Sequence, residues 1–376
     1  MNAMRRSRTG MALPMVLGAI TLIGTLIAGV MYLATQDYRV GANTLNEARA
    51  EAAAEMGLNR VLTDWDLSKN TSMVTGDTVT KSYTDPNGAT VNALITRLNG
   101  PFFWVVSEAQ TRGNSLQYGS RRRYGGLLRL NNPAVNFLGA VTAAGNIRVS
   151  GNVNVNGNDS TPAGWAGCGA TSNMPGSVTT PTATSTVNGS VTINGNPPFT
   201  TSAAAGDTNT YFNYGSTTYT ALAATANITL AGGNYSGMAP LVVGTTCSKA
   251  NTLNWGDPAR AAPAGACETY FPIIHVTGDL KVTGGTGQGI LLVDGDFTKA
   301  GNFNFYGLVI ARGTIKSTGS NNGVYGAEMA AAIDEGDAVT LAGSTKIQYS
   351  SCAVTKALSA TSYPLVARGR AWVNLY

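Results

Sequence analysis

From Thr9 to Gln36 the chain carries no charged residue, a run of 28 positions bounded by Arg8 and Asp37. Nothing else in the sequence restricts the fold so strongly. Its apolar heart, Met11 to Thr35, is 25 residues long. As a helix it would measure about 37 Å, against roughly 30 Å of hydrocarbon in a bilayer. It can span. Arg5, Arg6 and Arg8 precede it and the mixed charges Asp37, Arg39 and Glu47 follow it, which predicts a cytoplasmic N-terminus with the remainder outside. Pro14 falls in the first turn, where a missing N–H matters least. A cleaved secretory signal has the same basic-then-apolar order. The run is long for that role, and no good small-x-small site stands between Gly29 and Gln36, so it reads as a retained anchor.

Helical pattern continues past the apolar run. Asp37 to Leu62 contains no proline, and Leu45, Ala48, Ala52, Met56, Leu58 and Leu62 recur mostly at three- and four-residue steps, which predicts an amphipathic helix. Continuous from Met11 to about Asp66, it would be about 84 Å long, half in the bilayer and half beyond it. A rod of that kind packs against copies of itself or related chains.

Two stretches here resemble a known family. Arg5-Arg6-Ser7-Arg8-Thr9-Gly10, followed by Met11-Ala12-Leu13, looks like a class III signal. In such signals prepilin peptidase cuts after the glycine, between Gly10 and Met11 here, and the helix is kept. Ala48-Arg49-Ala50-Glu51-Ala52-Ala53-Ala54-Glu55-Met56-Gly57-Leu58 resembles the segment that closes the N-terminal region of PilX-type pilus-assembly proteins. The resemblance covers about residues 5–65. It implies a residue 1–10 leader, a helix over 11–66, and a place in the bacterial inner membrane or at the cell surface. Prepilin peptidase, other pilins and membrane lipid are the partners it implies. Type IV pilins usually carry glutamate five residues after the cut, where Met15 stands here; that departure fits a minor or accessory role better than a major subunit.

Residues 71–130 read as a small antiparallel region. Thr78 to Tyr83, Ala89 to Leu98, Phe102 to Ala109 and Leu116 to Leu130 are strand-like, parted by Asp85-Pro86-Asn87-Gly88, Asn99-Gly100-Pro101 and Thr111-Arg112-Gly113-Asn114, each a strong turn signal.

Beyond Asn131 the pattern changes. Gly145 to Asn158, Val187 to Asn196, Asn227 to Asn234 and Ile274 to Gly285 alternate apolar and polar residues among Gly/Asn corners, and segments up to Lys316 continue the form. Gly and Asn accept left-handed backbone angles at corners, and stacked coils bury their inward Val, Ile, Leu and Phe on one another. The expected fold is therefore mainly β with one long N-terminal helix. Residues 131–376 form a right-handed parallel β-helix-like solenoid in this reading, with a β-sandwich as the alternative because no strict repeat length can be fixed. The Thr/Ala/Gly/Pro-rich stretches 159–186 and 197–225 are expected to be loops thrown out from it.

Chemistry is sparse. His275 is the only histidine, so no multi-histidine metal site exists and it reads as a satisfied strand residue. Asp279, Asp294 and Asp296 sit in Gly/Val turns and read as turn residues. Asp334-Glu335-Gly336-Asp337 reads as an acidic surface turn. Gly285-Thr286-Gly287-Gln288-Gly289 leads into Ile290 to Val293, a strand, so no helix N-terminus is offered to a phosphate. Four cysteines, Cys168, Cys247, Cys267 and Cys352, fall on the external side, where disulfides are favoured. Cys247 with Cys267, flanking 19 residues, is the first choice, a closure worth roughly 3 kcal/mol; Cys168 with Cys352 follows by elimination. No catalytic, cofactor-binding or metal-binding residue is assigned.

Charge narrows the partners. Residues 1–130 hold 14 Lys and Arg against 9 Asp and Glu, whereas residues 131–376 hold 11 of each. That gives no polyphosphate footprint, and no nucleic acid is expected. Arg121-Arg122-Arg123, with Arg129 nearby, is the one basic cluster, read as a strand edge guarded by charge. The expectation is a non-enzymatic, pilin-like or pilus-assembly protein displaying a β-helical head for assembly, adhesion or surface contact. The alternative is a membrane-anchored β-helix that cleaves or binds glycans.

Overall fold

A computed structural model describes residues 12–65, 70, 73–113, 119–131, 133–166, 168, 172–262, 265–332, 337–367 and 372–375. These form two compact units. One comprises helix α1, the strands that follow it and the C-terminal strands; the other is built from residues 131–363.

In the first unit α1 runs unbroken over Ala12–Thr63, 52 residues. Four strands follow as an antiparallel meander: β1 (Thr78–Thr84), β2 (Thr90–Arg97), β3 (Phe102–Gln110) and β4 (Arg121–Asn131). Each buries alternate residues, as Val91, Ala93 and Ile95 do on β2, because one sheet face meets helix and the other meets solvent. The C-terminal strands Tyr363–Val366 and Trp372–Leu375 also join β4, so chain assigned above to the solenoid closes this sheet.

The helix face that packs overlaps only in part with the one the periodicity suggested: Leu58 is buried and Met56 and Leu62 are half-buried. Leu45, Ala48 and Ala52 are exposed, whereas Asn46, Ala50, Ala53, Ala54, Gly57, Leu58 and Val61 are buried. Those residues form an i, i+4, i+7 stripe of mostly small side chains. Small residues let the helix approach the sheet closely: a Cβ at Gly57 would run into the Ser107 hydroxyl and the Val91 side chain. Size decided the face here, and hydropathy alone does not report size.

In the second unit every ladder of the large sheet is parallel, and the chain winds through three faces. On the first, Leu280, Phe297, Ile315, Val339 and Ile147 are successive partners. On the second, Phe305, Val324, Ile347 and Val155 are. On the third, Leu291, Val309, Glu328 and Val141 are. All are buried. This is a parallel β-helix-like solenoid, and the β-sandwich alternative falls.

Corners are built from glycine columns. Gly326, at φ 150°, lies so close to the coil below that a Cβ would strike the Gly307 carbonyl. No L-residue is tolerated at that spacing. The lumen is mostly aliphatic and aromatic, but Lys299 and Glu328 form an ion pair inside it with both side chains fully buried, beside a Ser317–Thr345 hydroxyl pair at 2.6 Å.

Two features depart from a simple solenoid. Coil order in space is not chain order: residues 146–156 stack on residues 337–348, the last coil of the chain, and residues 185–194 stack beyond them. The stretches 159–186 and 197–225 are also not plain loops. They contain strands Ser177–Thr179 and Phe199–Thr201, and helices α2 (Thr208–Phe212) and α3 (Tyr219–Ala224). With α4 (Ser351–Ala360), these helices cover the outer side of the third face, burying Tyr211, Tyr214, Leu222 and Val354 against Leu292, Leu308 and Ile310.

Candidate functional site

Among the described residues nothing covers the apolar half of α1. Every side chain from Leu13 to Thr35 is exposed, and this is the one described helix long and apolar enough to cross a membrane. Its hydroxyls are satisfied internally: Thr21, Thr25 and Thr35 donate to the carbonyls of Gly18, Leu22 and Met31 at 2.7–2.9 Å. Such back-bonding is what a lipid-facing helix requires of its polar groups. The expected processing pair, Gly10 and Met11, lies outside the described residues.

The basic cluster on β4 is spoken for within the first unit. Arg121 and Arg123 both reach the Glu108 carboxylate, at 2.5 and 2.6 Å, and Arg122 pairs with Glu47. The Arg121 hydrogen bond is the main cause holding the Glu108 carboxyl below its ordinary value. Three guanidiniums so engaged offer little to a polyanion.

In the solenoid the carboxylates flagged in the sequence take separate structural duties. Asp279 Oδ1 accepts from the Asp296 N–H at 2.8 Å, and Asp296 Oδ1 accepts from the Thr314 N–H at 2.7 Å. Each aspartate thus fastens the corner of the next coil, a role that needs only a side-chain acceptor oxygen. Both line a shallow groove of about 430 Å³ with Lys281 and Gly232. Asp294 points elsewhere: its Oδ2 lies 2.9 Å from His275 Nε2, with Arg312 at 4.0 Å. Arg312 in turn lies over the rings of Phe212 and Tyr219, tying α2 and α3 to the sheet. Burial pushes the Tyr219 hydroxyl up, with the Asp294 charge adding to it. Asp337 sits 3.6 Å from Arg148, while Asp334 and Glu335 lie outside the described residues. Gly285 to Gly289 are part of one long strand, Ile273–Val293. Among the described residues no three of His, Cys, Asp and Glu converge as metal ligands.

The sulfurs join Cys247 to Cys267 and Cys168 to Cys352, with Cα separations of 5.0 and 5.2 Å. The first disulfide closes a cap at the outermost coil on the side of residues 228–238. Inside that cap Asn254, fully buried, donates to the carbonyls of Ser248 and Leu241 at 2.9 and 3.2 Å. Trp255 next to it fills the end of the lumen against Phe303 and Phe305. No sequence signal singled out Trp255; its neighbours are polar and the plug is defined only by the solenoid end it closes.

The class these observations define is a parallel β-helix carried on a chain whose leading helix is fit for a bilayer. No protein-family model matches the sequence, and no curated protein matches it. Among solved structures, the competence-associated pilin ComZ from Thermus thermophilus aligns over 88% of this chain and 97% of its own, at 10% identity and a TM-score of 0.24. That score is too low to establish a shared fold.

Proposed function

We propose that this chain is a non-enzymatic, pilin-like envelope protein of the PilX type, held in the bacterial inner membrane by α1 with its N-terminus in the cytoplasm. Its solenoid is an exported head for assembly or surface contact. The observation that carries the reading is α1 itself: one unbroken helix whose first half exposes only a lipid-compatible surface and whose second half packs a small-residue stripe on an antiparallel sheet. Prepilin peptidase would act between Gly10 and Met11, and other pilins would pack along the helix. The employment of Asp279, Asp294 and Asp296 in corner and cross-coil bonds supports a structural head over a glycan-cleaving one.

Co-expression with a prepilin peptidase, followed by N-terminal sequencing, tests the proposal. The mature chain is expected to begin at Met11, and Gly10→Ala to block the cut. A chain that keeps Met1 under those conditions, or one that begins near Thr35 with the helix discarded, overturns it.

A further inference from the structure

The outer side of the second solenoid face carries a groove of about 550 Å³. Along it the outward ladder runs Thr286, Asn304, Gly323, Lys346, Asn154 and Thr192 on six successive coils. Gly323 on that ladder is buried beside the Asn304 carboxamide. That glycine is not in the left-handed region, so the backbone does not demand it. An added Cβ would instead run into the Asn304 carboxamide and come within 3.1 Å of Tyr325 Cε2. Its role is to make room for the Asn304 carboxamide, which lines the groove.

Around the groove five asparagine side chains are uncommitted. Asn152, Asn154, Asn302, Asn304 and Asn321 line it, and among the described residues their carboxamides hold no protein partner. Asn322 also lines the groove but is bonded, as are Asn156 and Asn254 elsewhere on the solenoid. Lys346 is the one charged residue lining the groove. It lies 5.3 Å over the Tyr325 ring, and that ring is stacked on Tyr306 at 4.5 Å and 9°, so the cation is seated on a rigid column.

Each free carboxamide offers one acceptor and two donors, which matches hydroxyls that both donate and accept. Five of them facing one concavity suit a chain of many hydroxyls. A polyphosphate would need several cations, and the groove has one. An apolar ligand would leave the amides unsatisfied. A ligand rich in hydroxyls with a carboxylate at intervals satisfies both the amides and the single lysine.

We propose that this groove binds an acidic oligosaccharide, with Lys346 on a sugar carboxylate and the asparagine carboxamides on the hydroxyls. The site lies wholly within the solenoid and does not depend on how the helix is processed or assembled, so its failure and that of the pilin-like reading are separate results.

Isothermal titration of the full chain in detergent micelles decides it, using oligomers of galacturonate, alginate and hyaluronan as probes. A neutral glucose oligomer and poly-aspartate, which has carboxylates without hydroxyls, are the controls. At least one uronate oligomer is expected to bind, with the neutral oligomer about tenfold weaker and poly-aspartate unable to compete. Gly323→Ala and Lys346→Gln are each expected to weaken binding about tenfold. Should Gly323→Ala misfold, Asn154→Ala replaces it, since that carboxamide supports nothing in the fold and its loss should leave the melting temperature unchanged. Absence of binding to all three uronates, equal binding of poly-aspartate or of the neutral oligomer, or unchanged affinity in the folded variants each overturns the proposal.

Discussion

Gly326 and Gly237 both hold positive φ, 150° and 71°, yet they should respond very differently to one added methyl group. Around Gly237 nothing lies within 4 Å, so Gly237→Ala meets only the backbone preference, about 1 kcal/mol. At Gly326 the methyl meets the Gly307 carbonyl of the neighbouring coil, and the coils must part, at about 2–4 kcal/mol. Chemical denaturation followed by circular dichroism should show a shift in midpoint for Gly326→Ala several times that for Gly237→Ala. Equal shifts would mean that conformation, not coil spacing, selected glycine. At this scale the sequence was informative: Gly/Asn corners between alternating residues are visible without a structure. The lumen pair was not. Lys299 and Glu328 are 29 residues apart and sit at ordinary strand positions, and only the winding of the chain turns both inward.

Among the elements, the meander was the easier to read and α1 the harder. The limits of the first three strands followed the turn signals, because Asn-Gly and Gly-Pro dictate local backbone geometry, whereas the fourth begins at Arg121 rather than Leu116. The packing face of α1 was partly misplaced because large apolar residues look like core: Leu58 is taken in, but Leu45 is left out and Ala53 and Gly57 are taken in instead. The third solenoid face held a signal that went unused: Ile290 to Val293 and Leu308 to Ala311 are apolar at every position, the mark of a strand buried on both sides, and helices α2 to α4 are what cover it. The arginines of β4 also acquire a definite role as partners of Glu108 on β3. A carboxylate whose folded value lies below its ordinary 4.5 stabilises the sheet above that value, and the contribution is lost as pH falls through the lowered one. Glu108→Gln should therefore lower the melting temperature of the first unit at about pH 7, with the gap from wild type closing below pH 4.5. A gap that persists in acid would assign the loss to packing.

At the scale of the whole chain, the order of coils in space is the feature that local sequence could not convey. Alternation says that a segment is a coil; it does not say which coil lies next to it. Residues 146–156 find their neighbour at residues 337–348, and the Cys168–Cys352 disulfide, spanning 184 residues, fastens the same distant regions together. Closing so long a loop in the unfolded chain is worth about 5 kcal/mol on the entropic estimate. Replacing both cysteines by alanine should destabilise the solenoid by about that amount and deprotect residues 146–156 first in hydrogen exchange. Uniform loss of protection along the solenoid would contradict this. A coil made early in synthesis thus waits for a neighbour made late. While the polypeptide is being delivered, the early coil at residues 146–156 holds an unfinished edge, and the coil at residues 337–348 acts as the keystone that lets the stack close.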